Sequence, residues 1–82
     1  MAQQNLHLDI ASPEKKLFAG EVTSVTLPGI AGSFSIFRQH APIISSLKEG
    51  TITFVSGNNE QAIDIRGGFV EFSDGLVSIC VS

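Results

Sequence analysis

Apolar and polar residues alternate with a period of two along most of this chain. Leu6, Leu8 and Ile10 alternate with His7 and Asp9, which gives a strand one apolar and one polar face. The period returns at Val25 and Leu27, at Ile52 and Phe54, and at Ile63 and Ile65 around Asp64. Val70 and Phe72 flank Glu71, and Val77, Ile79 and Val81 alternate with Ser78 and Cys80. Helical spacing is nowhere sustained over about three turns. Only Ile43–Lys48 fits a helical turn, and it fits a strand equally well.

Breakers punctuate these runs at short intervals. Ser12-Pro13, Ala19-Gly20, Pro28-Gly29, Ala41-Pro42, Glu49-Gly50, Gly57-Asn58-Asn59, Gly67-Gly68 and Asp74-Gly75 read as turns or strand ends. Asp74-Gly75 predicts a tight hairpin, because both central residues of a type I′ turn need positive φ. Asn58-Asn59 is a second candidate. Many short strands joined by regular turns predict an all-β fold, a β-sandwich or small barrel.

With 82 residues, the chain is expected to be one domain, 1–82. A domain of this size buries only about 60–65% of its unfolded surface, so association with larger partners is plausible. Net charge is −3, and the basic residues Lys15, Lys16, Arg38, Lys48 and Arg66 are scattered. Nucleic-acid binders carry a basic stripe against phosphates, so no nucleic-acid partner is expected. Charged residues make up 16% and hydrophobic ones 43%, which points to apolar surface that another protein can cover. Met1–Asn5 is too short and polar for a signal peptide. No apolar run approaches the roughly 20 residues of a membrane helix, so no direct membrane insertion is expected.

The six phenylalanines occur with no Trp or Tyr. Phe18, Phe34, Phe54, Phe69 and Phe72 lie in or beside apolar runs and read as core filler. A stacking platform for bases or sugars favours rings with a polar handle and a basic groove.

Catalytic chemistry finds little to stand on. A nucleophile needs a positioned base and a group orienting that base. His7 falls on the polar face of its strand and reads as a solvated side chain. His40 precedes Ala41-Pro42 and reads as a turn histidine hydrogen-bonded to backbone or buried at a contact. The carboxylates Asp9, Glu14, Glu21, Glu49, Glu60, Asp64, Glu71 and Asp74 are dispersed. Gly29-Ile30-Ala31-Gly32 lacks the Gly-Lys-Ser/Thr ending of a phosphate loop. Gly67-Gly68 reads as a bulge or tight corner. Cys80, the sole cysteine, reads as a half-buried small residue and excludes an internal disulfide or Cys/His metal site. No enzyme, cofactor or metal is expected.

Several segments, in order, resemble the N-terminal domain of the epsilon subunit of F-type ATP synthases. They are Leu6–Ile10, Ser12–Lys16, Leu17–Val22, Val25–Gly29, Gly32–Ile36, His40–Pro42, Leu47–Gly50 and Gly67–Glu71. Each alone is weak; their order and spacing across nearly the whole chain carry the resemblance. It implies a small β-sandwich of two roughly five-stranded, mostly antiparallel sheets. It also implies a non-catalytic rotor subunit of the central stalk, bound to the gamma subunit and to the polar loops of the c-ring, coupling proton- or sodium-driven rotation to ATP synthesis. The place implied is the cytoplasmic face of a bacterial inner membrane, with a plastid-encoded protein as the other setting. The loop Gly29, Ile30, Ala31, Gly32 and Ser33 matches the c-ring-facing loop, and Ser12, His40, Ala41, Pro42 and Ser45 match the gamma-facing region. A generic β-sandwich ligand-binding module is the alternative.

Three departures from the family pattern matter. Ser33 stands where an acidic residue commonly follows the second glycine of the ring-facing loop, so docking there is expected to depend less on salt. Ser35–Gln39 also lacks the usual glycine, proline and asparagine. The chain ends just after its last strand, where longer members continue into a helical hairpin. Neither inhibition by helix insertion nor nucleotide binding through that hairpin is therefore expected.

Overall fold

The computed structural model describes residues 5–82, so Met1–Gln4 of the polar N-terminal stretch lie outside it. The alternating runs form nine strands: β1 Leu6–Ala11, β2 Lys16–Val22, β3 Ser24–Gly29, β4 Gly32–Ile36, β5 Ile43–Leu47, β6 Gly50–Ser56, β7 Asn59–Ile65, β8 Gly68–Ser73 and β9 Leu76–Val81. Their hydrogen-bonded order is β2-β1-β9-β8-β5-β3-β6-β7, with β4 on β3. Between β5 and β3 the ladder thins to one residue pair, Gly29 with Leu47. That thin seam divides the sheet into a five-stranded layer, β2-β1-β9-β8-β5, and a four-stranded layer, β4-β3-β6-β7. The fold is the expected sandwich, and all pairings are antiparallel except β1 with β9. β1 and β9 are the first and last strands described, so the parallel pair needs the whole intervening chain as its crossover.

Both seams are closed by backbone bonds. At one, the Ile30 N–H donates to Ser46 O at 3.1 Å and the Lys48 N–H to Pro28 O at 2.9 Å. At the other, the chain passes from β2 to β3 through Thr23, whose N–H donates to Val55 O at 2.9 Å. The Ser56 hydroxyl donates to Glu21 O beside it at 3.2 Å. These bonds satisfy strand-end groups that would otherwise be left without partners at the corners.

The period-two residues meet between the layers. Leu6, Leu8, Ile10, Val70, Phe72, Val77, Ile79 and Val81 come from one sheet, and Val25, Leu27, Ile36, Ile52, Phe54 and Ile65 from the other; all are buried. Phe18 spans the open side between β2 and β6, its ring centroid 4.5 Å from that of Phe54. Among the described residues no polar or charged side chain is buried, so the layers are held by apolar burial and the backbone ladders.

Turn chemistry holds in detail at one hairpin and shifts at another. Asp74 and Gly75 have φ of 53° and 78°, as a type I′ turn requires. The β6–β7 turn sits one residue earlier than Asn58-Asn59, because Asn59 already pairs with Ser56. Its centre is Gly57-Asn58, and Gly57 takes the positive φ of 65°. Ile43–Leu47 is a strand rather than a helical turn. Gly67-Gly68 is a tight corner between the layers: β8 begins at Gly68, φ 150°, where a Cβ would run into the Cys80 carbonyl oxygen.

Candidate functional site

The outward faces of the two sheets differ in chemistry. Register places side chains of the five-stranded sheet in rows across its outer face. One row runs Ile44, Glu71, Ser78, Asp9, Ala19, and the next runs Ser46, Phe69, Cys80, Ala11. Ile44 is 76% exposed and Phe69 50%. Leu76, one row further along β9, is also exposed. On the outer face of the four-stranded sheet, the Thr26 and Ser35 hydroxyls are 2.8 Å apart, and the Thr51 hydroxyl donates to Asp64 Oδ1 at 2.8 Å. Thr53 lies between Thr26 and Ala62, and Val55 faces Glu60. The large exposed apolar side chains of the described residues are Ile30, Phe37, Ile44, Phe69 and Leu76. Three of these stand on the five-stranded sheet's outer face and none on the other's.

These positions correct two expectations from the sequence. Phe69 is not core filler, and neither is the exposed Phe37. Phe69 precedes the buried Val70, so the pleat turns it outward. Phe18, Phe34, Phe54 and Phe72 do pack in or against the core. Cys80 is exposed rather than half-buried, since it lies out of phase with Ile79 and Val81. The outward set left a trace in the sequence as apolar doublets, Ile43-Ile44, Phe69-Val70 and Leu76-Val77, in which one member must break the period and face out.

This face also carries the acids Asp9, Glu21 and Glu71, with His7 opposite Glu21. Asp9 is paired with Lys16, Nζ to Oδ2 3.2 Å. Glu71 stands between Ile44 and Ser78 and has no ion pair among the described residues.

The candidate ring-facing loop is the β3–β4 hairpin. Gly29 pairs with Gly32 across the turn at Ile30-Ala31, and Ile30 is 63% exposed at the tip. Gly29 is buried, and a Cβ there would meet the Phe34 ring at 2.7 Å, so backbone and ring fill the space a side chain would need. Ser33 is exposed on β4. The β5–β6 turn, with Lys48 and Glu49, is tied to this end through Lys48 N to Pro28 O.

The residues matched to the gamma-facing region do not form one cluster. His40, Ala41 and Pro42 are exposed in the segment before β5, at the end of the sheet where Ile43 pairs with Phe72. Ser12 follows β1 at the opposite end, where Ala11 pairs with Cys80, about 15–20 Å away along the strands. Its hydroxyl lies 3.2 Å from Lys15 O and closes the β1–β2 turn. Ser45 pairs with the buried Val70 and is half-buried on the inner side; its hydroxyl donates to Ser46 O at 3.2 Å. Ser12 and His40–Pro42 thus border the outer face from its two ends, with Ile44, Phe69 and Glu71 between them.

His40 is held as a turn histidine. Its N–H donates to Phe37 O at 2.9 Å and its Nδ1–H to Ala41 O at 2.7 Å, and its ring meets Phe72 edge-on with centroids 6.2 Å apart. The Arg38 guanidinium lies against Gly75 of the β8–β9 turn. His7 is exposed. No group of three His, Cys, Asp or Glu that could hold a metal occurs among the described residues, and no helix there is long and apolar enough to cross a membrane.

A family model described as the ATP synthase, Delta/Epsilon chain, beta-sandwich domain matches residues 5–82. An ATP synthase epsilon chain of Rhodopseudomonas palustris (strain BisA53) is 43% identical over 68 residues, 83% of this chain and 50% of that one. The chain thus spans about half the length of that curated relative. A solved structure of the Tetrahymena thermophila mitochondrial ATP synthase, central stalk and c-ring, has a similar fold. The TM-score is 0.77 at 17% identity, covering 93% of this chain and 62% of that chain. The Euglena gracilis mitochondrial ATP synthase, OSCP/F1/c-ring in rotational state 1, gives a TM-score of 0.84 at 20% identity, over 94% of this chain and 50% of that one. With the sandwich and the family model in agreement over residues 5–82, the chain belongs to the beta-sandwich domain family of the ATP synthase Delta/Epsilon chain.

Proposed function

We propose that this chain is a non-catalytic rotor element of an F-type ATP synthase, joining the gamma subunit to the c-ring so that ion-driven rotation reaches the catalytic sites. The observation that carries this reading is the asymmetry of the two outer faces. The five-stranded sheet shows Ile44, Phe69 and Leu76 to solvent among its polar groups, while no large apolar side chain is exposed on the outer face of the four-stranded sheet. Covering a large apolar side chain that is half exposed or more returns about 1–2 kcal/mol, so this is the face that gains from a partner. Gamma docks here, between His40–Pro42 at one end and Ser12 at the other. The Gly29–Ser33 hairpin, with Ile30 at its tip, meets the polar loops of the ring. The chain sits at the cytoplasmic face of a bacterial inner membrane, held through these partners.

The mechanism is mechanical. A sandwich with a dry core and bonded seams resists shear, so torque entering at the hairpin leaves through the outer face with little lost to deformation. Co-elution with the cognate gamma subunit tests the reading. The double variant Ile44→Ser/Phe69→Ser is expected to weaken gamma binding by about 2 kcal/mol or more, as truncated interface anchors do. Thr53→Lys, on the other sheet, leaves binding unchanged. Loss of binding through Thr53→Lys with the double variant still bound contradicts the reading.

A further inference from the structure

Beside Ile44 the docking face opens into a depression of about 420 Å³ lined by Pro42, Ile43, Ile44, Glu71, Phe72 and Ser73. Its lining is mainly hydrocarbon, with one carboxylate and one hydroxyl. Glu71 lies directly opposite Ile44 across the β5–β8 ladder. The other acid in that row, Asp9, is already neutralised by Lys16 at 3.2 Å. A partner laid over Ile44 and Phe69 strips water from Glu71 as well, and a carboxylate covered without a counter-charge opposes binding. The local chemistry therefore specifies what the partner must bring.

We propose that this depression receives a long basic side chain from the partner segment that covers the face. The aliphatic stem runs along Pro42 and Ile44, and the cationic head meets the Glu71 carboxylate. Long basic side chains suit such a place because the stem gains from apolar contact while the charge reaches an acid. The proposal rests on the gamma-docking reading above and adds to it a register: the anchor fixes where along β5 and β8 the partner segment sits.

The affinity of the cognate gamma subunit for the wild-type chain and for Glu71→Gln, Glu71→Lys and Ile44→Ser, measured by calorimetry, tests it. Glu71 and Ile44 are both exposed, so the sandwich is expected to tolerate all three, and circular dichroism of each variant checks its fold. Glu71→Gln is expected to weaken binding about tenfold and Glu71→Lys about a hundredfold or more, because both leave the partner's cation uncompensated. Unchanged or tighter binding by Glu71→Lys, with Ile44→Ser still weakened, overturns the basic anchor and leaves the docking face standing. Unchanged binding by Ile44→Ser and both Glu71 variants overturns the docking face and the anchor with it.

Discussion

Gly67 and Gly68 stand side by side at the corner between the layers, yet only one of them needs to be glycine. Gly68 has φ of 150°, and a Cβ there would strike the Cys80 carbonyl oxygen. At Gly67 the nearest atom to a built Cβ is Leu47 O at 3.5 Å, an ordinary contact. Gly68→Ala is therefore expected to lose at least about 2–3 kcal/mol, adding backbone strain to a clash. Gly67→Ala stays within about 1 kcal/mol of the parent. Urea denaturation of the two variants measures the difference. The dipeptide was legible in the sequence as a corner; which glycine carries the unusual backbone depended on where β9 lies, a contact made across the sheet.

At the scale of elements, the inward faces were legible because a half-buried strand writes its side preference every second residue. β5 shows both the strength and the limit of that signal. Ile43, Ser45 and Leu47 share the inner side, so the half-buried place of Ser45 follows from its phase with Leu47. Ile44 faces out, but alternation alone does not say whether an outward isoleucine meets water or a partner. The turn after β3 was legible from Pro28-Gly29, while β4 entered only through the family resemblance. The electrostatic setting of the β3–β4 hairpin was not legible, because Lys48 and Glu49 come to it from another turn. Ser33→Glu adds a rim carboxylate to this hairpin. In the proposed docking of this hairpin on the ring, the variant is expected to gain salt dependence relative to the parent, by up to about 1 kcal/mol at low ionic strength. Release from ring-containing membranes across a salt series measures this. Equal release of both proteins contradicts the reading of Ser33.

For the whole molecule, the all-β class and six of the nine strands came from local pattern, while β2, β4, the choice of sandwich over barrel and the strand order did not. The parallel pairing of β1 with β9 joins the two ends of the described chain, and no local window records it. The same pairing, with β8 on the other side of β9, sets Cys80 between Ala11 and Phe69. The proposed docking face is thus assembled from segments far apart in sequence. Cys80 is the chain's sole cysteine and is exposed on that surface, so it reports on coverage without any substitution. The most direct measurement is the alkylation rate of Cys80 by a maleimide, with and without saturating cognate gamma. Docking on the five-stranded face predicts at least a roughly tenfold slower reaction in the complex, as an interface core excludes solvent. An unchanged rate in a complex shown to have formed places the partner elsewhere and contradicts the account.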